Sequence, residues 1–112
     1  LYVRTIADVF DYVRSKVGFE PKLCHDSHSH LTSAVQAIEL ARRLQPYQML
    51  FLEDVLAPEQ IDWYRQLRKI TTTPQAVGEV FSHPYEYVPL VTERLIDYAR
   101  CRVSAIGGIT PA

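Results

Sequence analysis

The sequence lacks any apolar run long enough to cross a membrane, since its longest runs are a handful of residues and a span needs roughly 20. It also lacks an excess of either charge, because 12 Lys and Arg residues against 13 Asp and Glu residues give a formal net charge of −1. This balance gives no reason to expect nucleic acid or an anionic membrane as a partner. An initiator Met and the pattern of a signal peptide are missing too. We therefore expect a cytoplasmic protein and a chain that begins inside a longer one.

Cysteine and glycine are scarce. The two cysteines, Cys24 and Cys101, show neither a CxxC motif nor a Cys/His ligand spacing, which argues against a zinc site. Both lie in apolar runs, so we expect buried free thiols, with a disulfide as the alternative. No Gly-rich phosphate loop follows any apolar run, and this weakens the case for a dinucleotide-binding fold.

Helical and strand patterns alternate along the chain, which is long enough for at most one domain. Thr5 with Asp8 predicts a cap for the first helix, and Thr32 predicts a cap for the second. The predicted elements are helices at 5–17, at 33–45, from Pro58 and from Pro89, and strands at 22–25, 48–52, 75–78 and 96–103. Such alternation is typical of parallel βαβ units.

Two α/β architectures fit this order: an open doubly wound sheet and part of a (β/α)8 barrel. A complete barrel needs about 250 residues, whereas this chain has 112. Because the phosphate loop is missing, we predict a partial TIM-type barrel, roughly half of a complete one.

Acidic residues return at a near-constant interval, each time close to the end of a predicted strand. There are 27 positions from Asp26 to Glu53 and 26 from Glu53 to Glu79. The carboxyl ends of parallel strands meet at one edge, so the three carboxylates are expected to converge and repel one another. All-oxygen ligation of this kind predicts a Mg²⁺ site. Asp54 competes with Glu53 for this role, and helix capping is the alternative role for any single acid.

Basic residues accompany these acids. His28 lies two residues after Asp26, so in an extended chain it faces the same side and suits acid or base catalysis. His30 is its rival, whereas His25 is expected to pack against a helix. Arg100 and Arg102 share one face of the predicted fourth strand, where they can bind an anionic substrate or a neighbouring acid.

Several motifs together resemble one known family. They are His25-Asp26-Ser27-His28, Pro46-Tyr47, Phe51-Leu52-Glu53-Asp54, Val77-Gly78-Glu79-Val80-Phe81, Arg94-Leu95-Ile96-Asp97-Tyr98 and Ile106-Gly107-Gly108-Ile109-Thr110. In this order they resemble the enolase superfamily, and within it the mannonate dehydratase family with its starvation-sensing relatives. The chain departs from the family pattern at four positions: Ser33 and Val55 replace prolines, His30 replaces an arginine, and Arg102 replaces a histidine.

The resemblance implies that residues 1–112 are about half of a catalytic (β/α)8 barrel, whose other strands and capping domain lie outside the chain. It implies that Asp26, Glu53 and Glu79 bind Mg²⁺ and that His28 is the acid/base catalyst. Arg100 is implied as a substrate contact; Glu79 and Arg102 are further candidates.

The same resemblance implies a hydro-lyase that dehydrates a sugar acid of the mannonate or gluconate type to a 2-keto-3-deoxy acid. The small-molecule acid sugar is then the expected partner, and activity is expected only in the full-length protein, as a homo-oligomer. The alternative is a family member that keeps the metal site but serves as a ligand-binding or regulatory protein. Turnover of an acid sugar separates the two.

Overall fold

The computed structural model describes residues 1–28, 31 and 33–111, and helices alternate with short parallel strands along them. The helices are α1 (Tyr2–Val17), α2 (Ala34–Leu44), α3 (Ile61–Ile70) and α4 (Pro84–Thr92), with a 3₁₀ turn at Gln45–Tyr47. The strands are β1 (Cys24–Asp26), β2 (Phe51–Glu53), β3 (Gln75–Val77) and β4 (Tyr98–Ala99). The predicted alternation is confirmed. His30 and Thr32 lie outside the described residues.

The strands form one parallel sheet in the order β1-β2-β3-β4. Each strand therefore pairs with the next one along the chain, without the reversal of order that defines a doubly wound sheet. This order is that of a (β/α)8 barrel, and four of its strands are present in the described chain. The prediction of a partial barrel is confirmed, and the open doubly wound alternative is not.

The core lies between the sheet and its helices. Leu52 of β2 and Val77 of β3 face the helices, and α2 buries Leu40 and Leu44 completely. Burying a side chain of this size stabilises a fold by about 1.5–3 kcal/mol. The neighbouring helices pack on one another in chain order, α1 on α2, α2 on α3 and α3 on α4. This packing holds the strands level, so that their carboxyl ends reach the same edge.

Two helices begin earlier than the sequence pattern predicted. α1 begins at Tyr2, and Thr5 does not cap it, because its hydroxyl donates a hydrogen bond to the Leu1 carbonyl from within the helix. α4 begins at Pro84 instead of Pro89, since a capping box formed by His83 and Glu86 starts the helix there. α2 is capped by Ser33, whose hydroxyl accepts the Gln36 amide.

Polar contacts gather at the opposite edge, where the strands begin. The Arg14 guanidinium is 6% exposed and donates to four backbone carbonyl oxygens in the segments before β1 and β2, at 2.9–3.2 Å. Before β3, the Thr73 amide donates to the Thr71 hydroxyl, and the Gln75 amide donates to Asp97, the residue before β4. These contacts join the strand starts without help from apolar packing.

Both cysteines are free, as expected, but they are exposed, so the prediction that they are buried was wrong. In β1, His25 faces α1, and strand residues alternate in direction. Cys24 therefore points to the face opposite the helices, which no further layer of the described chain covers. Among the described residues, no helix is long and apolar enough to cross a membrane.

Candidate functional site

The carboxyl edge of the sheet carries the three predicted acids. Asp26 and Glu53 are the last residues of β1 and β2, and they are paired partners in the parallel register. Glu79 follows the end of β3 by two residues. Both predicted strands had stopped one residue too early, yet the register places the acids next to one another, as expected.

Gly78 makes the position of Glu79 possible. Its φ is +142°, a conformation that residues with a Cβ rarely adopt. A Cβ atom here would lie 2.9 Å from Phe81 Cδ2 and 3.1 Å from the Arg100 amide nitrogen. The ends of β3 and β4 therefore approach so closely that only glycine fits between them. This approach brings Glu79 and Arg100 to one site.

An open cavity of about 460 Å³ lies at this edge. It is lined by the three acids, by both predicted arginines and by two other residues of the β4 end, which together are Asp26, Glu53, Glu79, Ala99, Arg100, Cys101 and Arg102. Five residues predicted from the sequence to bind metal or substrate thus surround one space. The cavity is large enough for a molecule the size of a sugar acid.

His28 joins the same group, but by a different route from the one predicted. The chain turns at His28, whose φ is +45°, instead of staying extended. Its amide donates to Asp26 Oδ1 at 2.8 Å, and this bond closes the turn. Its Nδ1 then lies 3.4 Å from Asp26 Oδ2 and 3.1 Å from Glu79 Oε2. The imidazole is therefore placed between two of the three acids.

The two arginines lie beyond β4, not on it. β4 ends at Ala99, so the prediction that Arg100 and Arg102 are on a strand over 96–103 was wrong. Each guanidinium nevertheless faces an acid: Arg100 Nε is 3.3 Å from Glu53 Oε1, and Arg102 Nη2 is paired with Glu79 Oε1. Arg100 also lies over the Phe51 ring, 5.5 Å from its centroid.

His25 and His83 have other surroundings. His25 Nε2 is 3.0 Å from the Tyr2 hydroxyl and the ring meets Phe10 edge-on, which confirms the prediction that it packs against a helix. Burial lowers the pKa of His25, and the charge of Asp26 partly opposes this. His83, unassigned from the sequence, accepts the Tyr85 amide at the start of α4.

Asp54 is a part of the site that the sequence pattern understated. It is 8% exposed and lines a small cavity of about 70 Å³ together with His28 and Glu79. Burial raises the pKa of Asp54 to about 6, and the charges of Glu53 and Asp26 add to this, whereas Gly78 and His28 oppose it. Only its position next to Glu53 signalled a role, because burial cannot be read from a single acid.

The charges at this edge do not balance. Four carboxylates, including Asp54, face two guanidinium groups, which leaves a formal charge of −2 if His28 is neutral. A hard divalent cation with oxygen ligands matches both the charge and the donor atoms, so the residues fit Mg²⁺. In the described part of the chain no three such side chains are gathered as a formed metal cluster. Glu53 and Glu79 instead face the arginines.

Curated proteins of similar sequence cover nearly the whole chain. D-galactonate dehydratase family member RspA of Pantoea ananatis (strain LMG 20103) is 48% identical over 111 residues, which are 99% of this chain and 26% of that protein. A D-galactonate dehydratase family member of Paenibacillus sp. (strain JDR-2) is 50% identical over 97% of this chain and 26% of its own length. The chain thus spans about a quarter of the curated relatives it matches.

Solved structures agree with the fold. An enolase from Pantoea ananatis with bound D-gluconate and Mg superposes with a TM-score of 0.93 at 46% identity, covering 98% of this chain and 26% of that one. L-talarate dehydratase from Polaromonas sp. JS666, complexed with Mg and L-glucarate, gives 0.83 at 27% identity over 96% of this chain and 29% of that one. The superfamily resemblance inferred from the motifs is confirmed. Residues 3–112 match the family described as enolase C-terminal domain-like, and the chain belongs to that family.

Proposed function

We propose that the complete protein containing this chain is a Mg²⁺-dependent hydro-lyase that removes water from a sugar acid to give a 2-keto-3-deoxy acid. The observation that carries the proposal is the position of His28, whose Nδ1 is 3.1 Å from Glu79 and 3.4 Å from Asp26 beside the acid-lined cavity. The Mg and sugar-acid ligands of two similar solved structures support it.

In this proposal Asp26, Glu53 and Glu79 hold the cation. A Mg²⁺ ion there supplies positive charge against the negative charge that develops on the substrate carboxylate as the α-proton leaves. The excess negative charge at the strand ends, which contributes to the raised pKa of Asp54, favours cation binding at this edge.

His28 moves the proton. If its Nδ1–H donates to the carboxylates of Asp26 and Glu79, its Nε2 carries the lone pair and can accept a proton from substrate or return one. The α-proton leaves with a base, the β C–O bond breaks, and the hydroxyl leaves as water with a proton from an acid. The enol that remains becomes the keto acid.

Arg100 positions the substrate. Its guanidinium lines the cavity and is held at one side by Glu53 and at its face by the Phe51 ring. A substrate carboxylate can then receive charge-assisted hydrogen bonds from a group that is already oriented. Because water is excluded poorly from this open cavity, the rest of the complete protein is expected to close it.

The test is a screen of the complete protein with Mg²⁺ against a panel of sugar acids, measuring keto-deoxy product. We expect product that depends on Mg²⁺, a loss of at least about 100-fold in His28→Asn, and little change in His83→Asn. His83 is the matched control because it caps α4, a position that asparagine also fills well. Mg²⁺ binding without turnover of any acid sugar would refute the assignment of His28 and favour a ligand-binding or regulatory protein.

A further inference from the structure

Two arginines act as counter-ions for the acids, but they are held differently. Arg100 contacts both Glu53 and the Phe51 ring, so it remains fixed if the ion pair is broken. For the Arg102 side chain, the contact recorded within the described residues is its ion pair with Glu79. The Arg102 side chain is also 56% exposed, and it can therefore move into the cavity or away from it.

Arg102 competes with a cation for Glu79. A carboxylate oxygen that accepts a hydrogen bond from a guanidinium has fewer lone pairs for a metal ion, and the two positive charges repel each other at contact distance. His28 approaches the other oxygen, Oε2, so both oxygens of Glu79 already have neighbours. A cation that binds Glu79 must displace at least one of them.

We propose that Arg102 is a displaceable counter-ion of Glu79: cation binding to the acids releases its guanidinium, which then binds a second anionic group on the substrate. The inference rests on the proposed function, and it specifies the substrate class as a sugar acid with two carboxylates. One carboxylate lies with Arg100 and the cation, and the other lies with Arg102.

The geometry of the cavity supports two anionic positions. Arg100 and Arg102 are separated by one residue and line the same space, yet they pair with acids from different strand ends, Glu53 and Glu79. A monoacid leaves one released guanidinium facing only hydroxyls, whereas a diacid gives each guanidinium a charged partner. Charge-assisted hydrogen bonds are roughly twice as strong as neutral ones, so the diacid is expected to bind more tightly.

The first arm of the test measures Mg²⁺ binding to the complete protein by calorimetry, without substrate. Arg102→Gln is expected to bind Mg²⁺ more tightly by up to about fivefold, the range that an exposed ion pair permits. Arg65→Gln is the matched control, because it also breaks an ion pair, with Glu93, away from the cavity. Unchanged or weaker Mg²⁺ binding in Arg102→Gln would overturn the inference.

The second arm measures binding of gluconate and glucarate, which share a carbon chain and differ by one carboxylate, at saturating Mg²⁺. The background is His28→Asn, so that neither ligand is consumed. We expect glucarate to bind more tightly than gluconate, and Arg102→Gln to weaken glucarate about tenfold while gluconate changes little. Equal losses for both ligands would overturn the inference, and Arg102→Lys is expected to give intermediate values because it keeps the charge without the fork.

Failure of the proposed function gives a different result. If Mg²⁺ does not bind the wild-type protein, or if Glu53→Gln leaves its affinity unchanged, the metal site itself is refuted and this inference with it. If Mg²⁺ binds and Glu53→Gln abolishes binding, but Arg102→Gln changes neither arm, only the role of Arg102 is refuted. The opposite signs expected for metal and diacid exclude general damage to the fold.

Discussion

Replacing Gly78 by alanine tests whether the close approach of β3 and β4 determines the site. Gly78 has a φ of +142°, and its backbone lies against Phe81 and against the Arg100 amide. An added Cβ would be 2.9 Å from Phe81 Cδ2, 3.0 Å from Phe81 Cε2 and 3.1 Å from the Arg100 nitrogen. Since Phe81 is 1% exposed, it has no free space to move into.

The magnitude follows from three contributions. A residue with a Cβ at this φ costs about 1–3 kcal/mol, and overpacking a buried ring costs about 1–3 kcal/mol. The bond from the Arg100 amide to the Val77 carbonyl, now 2.9 Å, is also disturbed, at about 1 kcal/mol. Because the strains relax together, we expect Gly78→Ala to lose about 3–5 kcal/mol of unfolding free energy.

Gly18→Ala is the control for backbone strain alone. Gly18 ends α1 with a φ of +69°, and a Cβ there would meet nothing within 4 Å. We expect a loss of about 1–2 kcal/mol, the cost of the left-handed conformation by itself. The difference between the two variants, about 2–3 kcal/mol, then measures the close approach.

The assay is denaturant unfolding of the complete protein, combined with amide exchange resolved to residues 75–81 and 98–101. Gly78→Ala is expected to lose protection in both segments and to bind Mg²⁺ more weakly, because Glu79 follows the displaced residue. Gly18→Ala is expected to keep its Mg²⁺ affinity. Equal destabilisation by the two substitutions, or unchanged metal affinity in Gly78→Ala, would refute the reasoning.

Three further outcomes are expected. Arg14→Met should lose about 3–5 kcal/mol of unfolding free energy, because four backbone carbonyls lose their donor, and a denaturation midpoint equal to wild type would contradict this. Leu67→Ala should lose about 2–5 kcal/mol, whereas Val35→Ala, at a side chain that is 67% exposed, should stay within about 0.5 kcal/mol in the same assay. Backbone hydrogen bonds lower the pKa of Glu86 from its ordinary 4.5, so its contribution to α4 is present above pH 4.5 and is lost as the pH falls through the lowered value. Amide exchange across 84–92, corrected for intrinsic rates, should show this loss, and Glu86→Gln should remove the pH dependence.

The sequence contained enough to predict the fold and the gathering of the acids. Buried parallel strands are short apolar runs, and the end of such a run marks the edge where ligands bind. The even intervals of Asp26, Glu53 and Glu79 therefore led to the right edge without any knowledge of helix packing. Strand bounds were less accurate by one to several residues, because two or three ladder pairs define each strand here.

Features that depend on contacts between distant residues were not predictable. The turn at His28 arises from its bond to Asp26 and from the approach of Glu79, neither of which alternation along a strand indicates. β4 stops at Ala99, so Arg100 and Arg102 reach their acids from a loop. The exposure of Cys24 depends on which face of the sheet is covered, and composition does not report this.

The polar contacts at the strand starts have a consequence for how this fold can diversify. Arg14, Thr73 and Gln75 tie the strands together at one edge without contributing an atom to the cavity at the other. Substitutions near the cavity, such as those at Arg102, can therefore alter ligand choice while the ties that hold the strands in register persist. Selection can then explore new chemistry at one edge with folding safeguarded at the other, which makes the unit a tolerant starting point for directed evolution.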